Sequence, residues 1–212
     1  MSKGRLILIN IIGIIIIFAL VAGGGYYYYQ SANYVNTDEA KVAGDMTTIV
    51  APNAGKLTDW GVKEGDQLNK DANVGKISGG ETSMNITASA DGTVVKEQAN
   101  DNQMVQPGQV LAQTIDMNNL YITANIEETD LQDIEEGDSV DITVDGDPDT
   151  IYEGTLENIG YATNSMFSLM PQQNASGNYT KVTQKVSVKV SIKAPSDKVL
   201  PGMNAEVKIS TK

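Results

Sequence analysis

Asp145, Asp147 and Asp149 alternate along the chain as the oxygen ligands of a calcium loop do. Such a loop also needs a glycine at its sharp turn and a closing bidentate Glu. Neither stands at the required spacing, so the stretch is expected to be a solvated hairpin tip and no metal site. Glu127-Glu128 and Glu135-Glu136 are carboxylate pairs. Adjacent residues point in different directions, so neither pair resembles the facing carboxylates of a glycosidase. Asn174-Ala175-Ser176 and Asn178-Tyr179-Thr180 fit the acceptor pattern for N-glycosylation. Trp60, the single tryptophan, sits near a turn, where packing at a domain edge is expected over ligand stacking. The chain has no Cys and no His. Disulfides, zinc sites of the usual kind and nucleophile–histidine catalysis are thereby excluded. No catalytic residue, metal or cofactor is expected, and the chain reads as a protein that is not an enzyme. The functional expectation rests instead on Met166, Phe167, Leu169 and Met170. They are apolar without a strand pattern, inside a long loop from Tyr161 to Tyr179. Long loops are often functional, and exposed apolar clusters mark contacts with partners.

The elements that must position this loop begin with a membrane span. Leu6 to Gly25 is apolar except for Asn10, about the 20 residues that cross a bilayer core as a helix. Lys3 and Arg5 precede it, whereas Asp38, Glu39 and Asp45 follow with only Lys41 against them. The positive-inside tendency puts the N-terminus in the cytoplasm and the bulk outside the cell membrane. Tyr26 to Tyr29 fall where an interfacial aromatic belt belongs. The apolar stretch is too long for a cleaved signal peptide, and no clean Ala-x-Ala site follows. The formal net charge of −12 argues against nucleic acid and against tight binding to anionic lipid.

Beyond the span, Ile49–Val74 and Ile86–Leu111 match at a constant offset. Ile49 pairs with Ile86, Ala51 with Ala88, Gly55 with Gly92, Leu57 with Val94, and Val74 with Leu111. Each copy has too few apolar positions to bury a face alone, so the two are expected to pack face to face around one core. Leu120, Ile122, Ala124 and Ile126 then alternate as a half-buried strand. Thr129 and Gln132 have capping-box spacing, which with Leu131, Ile134 and Gly137 predicts a short helix. Further strands are expected at Val140–Val144, Ile151–Ile159, Val186–Ile192 and Met203–Ile209, with a turn over Asp145–Thr150. Such a set suggests a small antiparallel barrel.

The chain resembles membrane fusion proteins of the HlyD/EmrA type, the adaptor subunits of bacterial efflux and secretion pumps. Tyr34-Val35-x-Thr37-Asp38-x-Ala40 resembles the segment that leaves the membrane. Asp101-Asn102-Gln103-x-Val105-x-x-Gly108-x-x-Leu111 is similar to one half of the split lipoyl-like domain. Ala124-Asn125-x-x-Glu128-Thr129-x-Leu131 opens the barrel, and Gly202-Met203 matches the last strand. Phe167-Ser168-Leu169-x-Pro171 and Asn174 to Tyr179 resemble the EmrA branch. The resemblance implies a mainly β protein with an N-terminal transmembrane helix, a lipoyl-like (barrel-sandwich hybrid) domain and a small antiparallel β-barrel with one short helix. The expected limits are 1–5 cytoplasmic N-terminus, 6–28 transmembrane helix, 29–47 linker and first barrel strand, 48–116 lipoyl-like domain with halves 48–77 and 86–115, and 117–212 β-barrel. In a bacterial family the two glycosylation patterns are coincidental.

The implied function is that of an accessory subunit for a multidrug or secretion transporter. A major-facilitator partner is favoured and an ABC exporter comes second, with the adaptor itself a homo-oligomer. Many relatives insert a long helical hairpin between the lipoyl halves to meet an outer-membrane channel. Only eight residues separate Ile77 from Ile86. No tunnel-length hairpin fits there, and no docking to such a channel is expected. A lipoyl-like fold also raises a biotinyl or lipoyl carrier, but Gly79 to Asn85 lacks the modifiable Lys, and Lys76 falls back on the strand. The alternative of a different class is a cell-surface binding or scaffold protein held by its helix.

Overall fold

Alternating apolar residues dictate strands, and the computed structural model, which describes residues 12–25, 33–79, 82–167 and 182–211, places fourteen among those residues. Six of them close a barrel: β1 (Tyr34–Ala43), β10 (Tyr121–Glu127), β11 (Ser139–Val144), β12 (Asp147–Thr163), β13 (Lys185–Ile192) and β14 (Asn204–Ser210). Their order around it is β1-β10-β13-β12-β11-β14, with antiparallel neighbours throughout. The other eight are β2 (Met46–Val50), β3 (Gly55–Thr58), β4 (Gln67–Leu68), β5 (Asn73–Gly79), β6 (Thr82–Thr87), β7 (Gly92–Glu97), β8 (Met104–Val105) and β9 (Val110–Ile115). They form two four-stranded sheets, β2-β9-β7-β4 and β6-β5-β3-β8. A mainly β chain with a barrel-sandwich hybrid and a barrel is what the sequence predicts.

The repeat governs the sandwich down to single backbone positions. Shifting by 37 residues carries β4 onto β8 and the buried Ile49, Ala51, Leu57 and Val74 onto the buried Ile86, Ala88, Val94 and Leu111. It also carries Gly65 (φ 92°) onto Asn102 (φ 67°), and Asp71 (φ 64°) onto Gly108 (φ 79°). The turn bonds follow suit. Lys63 N donates to Asp66 Oδ2 at 2.8 Å, and Asn100 N donates to Gln103 Oε1 at 3.0 Å. The halves do not lie against each other as separate leaves, however. Each sheet takes two strands from each half, and Leu57 N donates to Gln103 O while Val94 N donates to Asp66 O. Interleaving satisfies backbone groups that two stacked leaves would leave bare.

The barrel core is filled by inward residues such as Ile122, Ala124, Ile142, Val190 and Ile209, all fully buried. Several local expectations need correction. The short helix predicted after Thr129 is a single 3-10 turn, Leu131–Asp133, with Asp130 at its N-cap and no side-chain cap. Thr129 Oγ1 is spent on Asp130 Oδ1 at 3.0 Å, so the capping box does not form. The turn over Asp145–Thr150 is shorter than predicted. Val144 already pairs with Asp147, and the extra residues are absorbed as a bulge in β12 before Thr143 meets Ile151. Tyr161 to Thr163, expected in the loop, belong to β12.

The two domains stack end to end. Ala43 pairs with Tyr121 at the barrel end that leads into the sandwich. At the opposite end Tyr34 pairs with Ser210, Glu127 with Lys185 and Thr163 with Val186. The chain therefore enters from its N-terminal helix at the barrel end remote from the sandwich. The repeat equates Ile115 with Ser78 and Met46 with Ser83. The β5–β6 hairpin thus stands at the end of the sandwich remote from the barrel, the counterpart of the end where β2 and β9 join it. Residues 12–25 are helical, and their large apolar side chains are exposed. Among the described residues no helix is long and apolar enough to cross a membrane. The remainder of the predicted 6–28 span lies outside them.

Candidate functional site

β12 runs on past β11, which it leaves after Thr155, to Thr163 opposite Val186 of β13, and a 3-10 turn, Asn164–Phe167, caps it. Asn164 Nδ2 donates to Asn125 Oδ1 at 2.9 Å, which moors the tip to β10. Thr163 Oγ1 lies 2.9 Å from Ser165 Oγ. Met166 is 75% exposed and Phe167 77%. Of the four residues singled out in the sequence, these two share one tip, while Leu169 and Met170 lie outside the described residues. Both glycosylation patterns lie outside them too. The structure adds Tyr161, in β12 three residues before the tip, and Val182, three residues before β13, both exposed. Neither gives a sequence signal, because a strand-end tyrosine and a lone valine are ordinary.

Beside the tip lies a groove of about 770 Å³. Its floor is set by a bulge in β1 between Thr37 and Ala40. Thr37 Oγ1 donates to Asn125 O at 2.9 Å and accepts from Glu39 N at 3.1 Å. Asp38, Glu127, Asp130 and Glu206 line the walls. Lys185 forms an ion pair with Glu39, and that hydrogen bond raises the lysine above its ordinary value. Lys208 sits over the Tyr34 ring, 3.9 Å from its centroid. Asn125 joins the two, lining the groove while its side chain holds Asn164 of the tip.

Of the three alternating aspartates, Asp145 and Asp149 are exposed at the hairpin as predicted, and Asp147 is not. Asp147 is buried. Tyr152 Oη donates to its Oδ2 at 2.7 Å and Ser196 Oγ at 3.1 Å, while Lys198 Nζ meets Oδ1 at 2.9 Å. The Tyr152 hydrogen bond, followed by that of Lys198, holds the Asp147 carboxyl well below the usual carboxylate range. This cluster ties the β11–β12 hairpin to the β13–β14 connection. Among the described residues no group of Asp, Glu, His or Cys could hold a metal ion.

In the sandwich, Trp60 is buried, and its Nε1 donates to Glu97 Oε1 at 3.0 Å while its N donates to Asp101 Oδ1 at 3.2 Å. Packing is its role. Lys76 lies in β5 opposite Asn85 and pairs with Asp59 at 2.8 Å, so it does not stand at a hairpin tip as a carrier lysine would.

Residues 45–116 match the family model of the YhbJ barrel-sandwich hybrid domain, and residues 120–209 match that of the YknX-like beta-barrel domain. Over 210 residues the chain is 65% identical to YhbJ of Bacillus subtilis, which carries the name of an efflux system component. The match covers 99% of this chain and 95% of that protein. The chain belongs to the HlyD/EmrA-type membrane fusion proteins. A second relative among these fusion proteins is the colistin resistance protein EmrA of Acinetobacter baumannii. It is 35% identical over 107 residues, covering 50% of this chain and 30% of that one. The membrane fusion protein fold recurs in a MacA–MexA chimera carrying the Pseudomonas aeruginosa MexA α-hairpin. The TM-score is 0.69 at 16% identity, covering 85% of this chain and 83% of that one. In this fusion protein only residues 80 and 81 separate β5 from β6.

Proposed function

We propose that this chain is the membrane-anchored adaptor subunit of an export system, assisting a multidrug or secretion transporter in moving substrate out across the cell membrane. The near full-length likeness to YhbJ carries this reading. The partner is a transporter of the major-facilitator type, favoured by the likeness to EmrA, with an ABC exporter second. The apolar N-terminal segment holds the protein in the membrane, with its N-terminus in the cytoplasm and its bulk outside. The tip with Met166 and Phe167, continued by Leu169 and Met170, contacts the transporter. Its support is placement, since the tip emerges at the barrel end nearest the N-terminal helix. The copies form a homo-oligomer on the transporter's exit face. With two residues between β5 and β6, nothing reaches for an outer-membrane channel.

The test is co-purification in mild detergent from native membranes. A transporter is expected in the eluate, and deletion of the adaptor is expected to lower export. Recovery of no transporter, with export unchanged, would overturn the reading.

A further inference from the structure

Ile115 belongs to β9 of the sandwich, where it pairs with Met46 and with Thr93. Its side chain does not join the sandwich core. It is 5% exposed and packs into the barrel core together with Leu120. Val95 and Met117, from the same end of the sandwich, pack against that barrel core too. The sandwich's own buried cluster contains none of the three. The repeat supplies an internal control. At the three corresponding positions of the other half stand Thr58, Ser78 and Gly80. That half meets no barrel, and its Ser78 is exposed. Apolar side chains stand at these positions only in the half that abuts the barrel, so they belong to the junction and not to the sandwich fold.

The two chain crossings leave little slack. β1 passes to β2 through Gly44 and Asp45 alone, and β9 passes to β10 through 116–120. A Cβ at Gly44 would lie 2.6 Å from Ile115 Cγ2 and 3.0 Å from Leu120 Cδ2, so the first crossing is pressed against the packed pair. In the second crossing Asn118 N donates to Asp116 Oδ1 at 2.9 Å and Asn119 N to Asp116 O at 3.2 Å, which closes the turn. Tyr121 Oη of the barrel wall donates to Asp45 Oδ1 at 3.4 Å. Domains of one chain move relative to each other by default unless an apolar interface joins them. Here one apolar core continues from the barrel into the sandwich, and close-packed interiors transmit displacement instead of absorbing it. We propose that barrel and sandwich form one rigid lever, locked by Ile115 as a plug seated in the barrel with Val95 and Met117 around it. A tilt imposed on the barrel end remote from the sandwich is then carried whole to the β5–β6 hairpin, and no hinge operates between the two domains. The inference goes beyond the export reading and stands without it.

The chain has no cysteine, so spin labels report only from the sites given them. Asn85 in the sandwich and Glu153 in the barrel are exposed, as are Thr48 in the sandwich and Lys41 in the barrel. The test is electron–electron distance measurement on the full chain in mild detergent, with labelled chain diluted into an excess of unlabelled chain. Asn85→Cys with Glu153→Cys reads between the domains. Thr48→Cys with Asn85→Cys, and Lys41→Cys with Glu153→Cys, read within each domain. The interdomain distribution is expected to be one peak as narrow as the two within-domain peaks. Val95→Thr with Met117→Ser changes two half-buried positions, so it hollows no core. That double variant, and separately Ile115→Ser, should lose the narrow interdomain peak and keep the within-domain ones. A broad interdomain distribution in the chain with its junction intact would overturn the proposal. So would a narrow one that survives both junction variants, because the plug would then not be what locks the domains. If Ile115→Ser broadens the barrel pair as well, the double variant decides alone.

Discussion

Trp60 and Glu97 stand at corresponding positions of the two repeat halves, and the indole Nε1 of one donates to Oε1 of the other at 3.0 Å. The pseudo-twofold of the sandwich passes between them, so the contact bonds each half to the other's counterpart position. Trp60→Phe keeps most of the packing and removes the donor. It is expected to lower stability by about 1 kcal/mol. Trp60→Ala adds a cavity and should cost about 3–5 kcal/mol. Denaturant unfolding followed by far-ultraviolet circular dichroism checks both.

Gly65 and Gly108 hold left-handed backbone at turns of opposite halves, and a Cβ at either would meet nothing within 4 Å. The penalty of an alanine there is conformational alone. Gly65→Ala and Gly108→Ala should each cost about 1–2 kcal/mol. Asn102→Gly, at the position equivalent to Gly65, should cost nothing. The denaturation midpoint read by Trp60 fluorescence reports on this domain and separates the three.

Asp147 makes an acid-sensitive contribution to the barrel. Its folded-state pKa lies below the ordinary 3.8 because Tyr152 and Lys198 hydrogen-bond the ionised form. The unfolded chain therefore takes up the proton first as pH falls. Stability from this group is complete above the ordinary carboxylate value and drains away as pH drops towards the folded one. Asp147→Asn should lower the melting temperature at neutral pH, and the gap from the natural chain should narrow below pH 3.8. A gap constant with pH would contradict the assignment.

Met166→Ser with Phe167→Ser removes two side chains that touch solvent rather than core. Stability should change by no more than about 0.5 kcal/mol. Transporter recovered in the detergent pull-down should fall. Unchanged recovery would detach the tip from the partner.

Much of this architecture is readable before folding. The constant offset predicts a doubled unit, since the same apolar positions must be buried twice. Alternation at Leu120–Ile126 and Val186–Ile192 marks strands with one buried face. What escaped was non-local. The exchange of strands between halves leaves no mark, because interleaved and stacked copies bury the same residues. Asp147 looked solvated because Ser196 and Lys198 lie about fifty residues away in sequence. The capping box at Thr129 failed for a local reason, its hydroxyl being taken by Asp130. At the tip, Met166 and Phe167 stood out as apolar residues without a period, which is how side chains facing no core of their own appear in a sequence.

The two-residue link between β5 and β6 also limits stature. With barrel and sandwich stacked, the described residues that follow the N-terminal helix make a body two small domains tall. On the proposed reading, cargo leaving a transporter beneath it meets open surroundings after that short height, released at the doorstep rather than carried along an enclosed corridor.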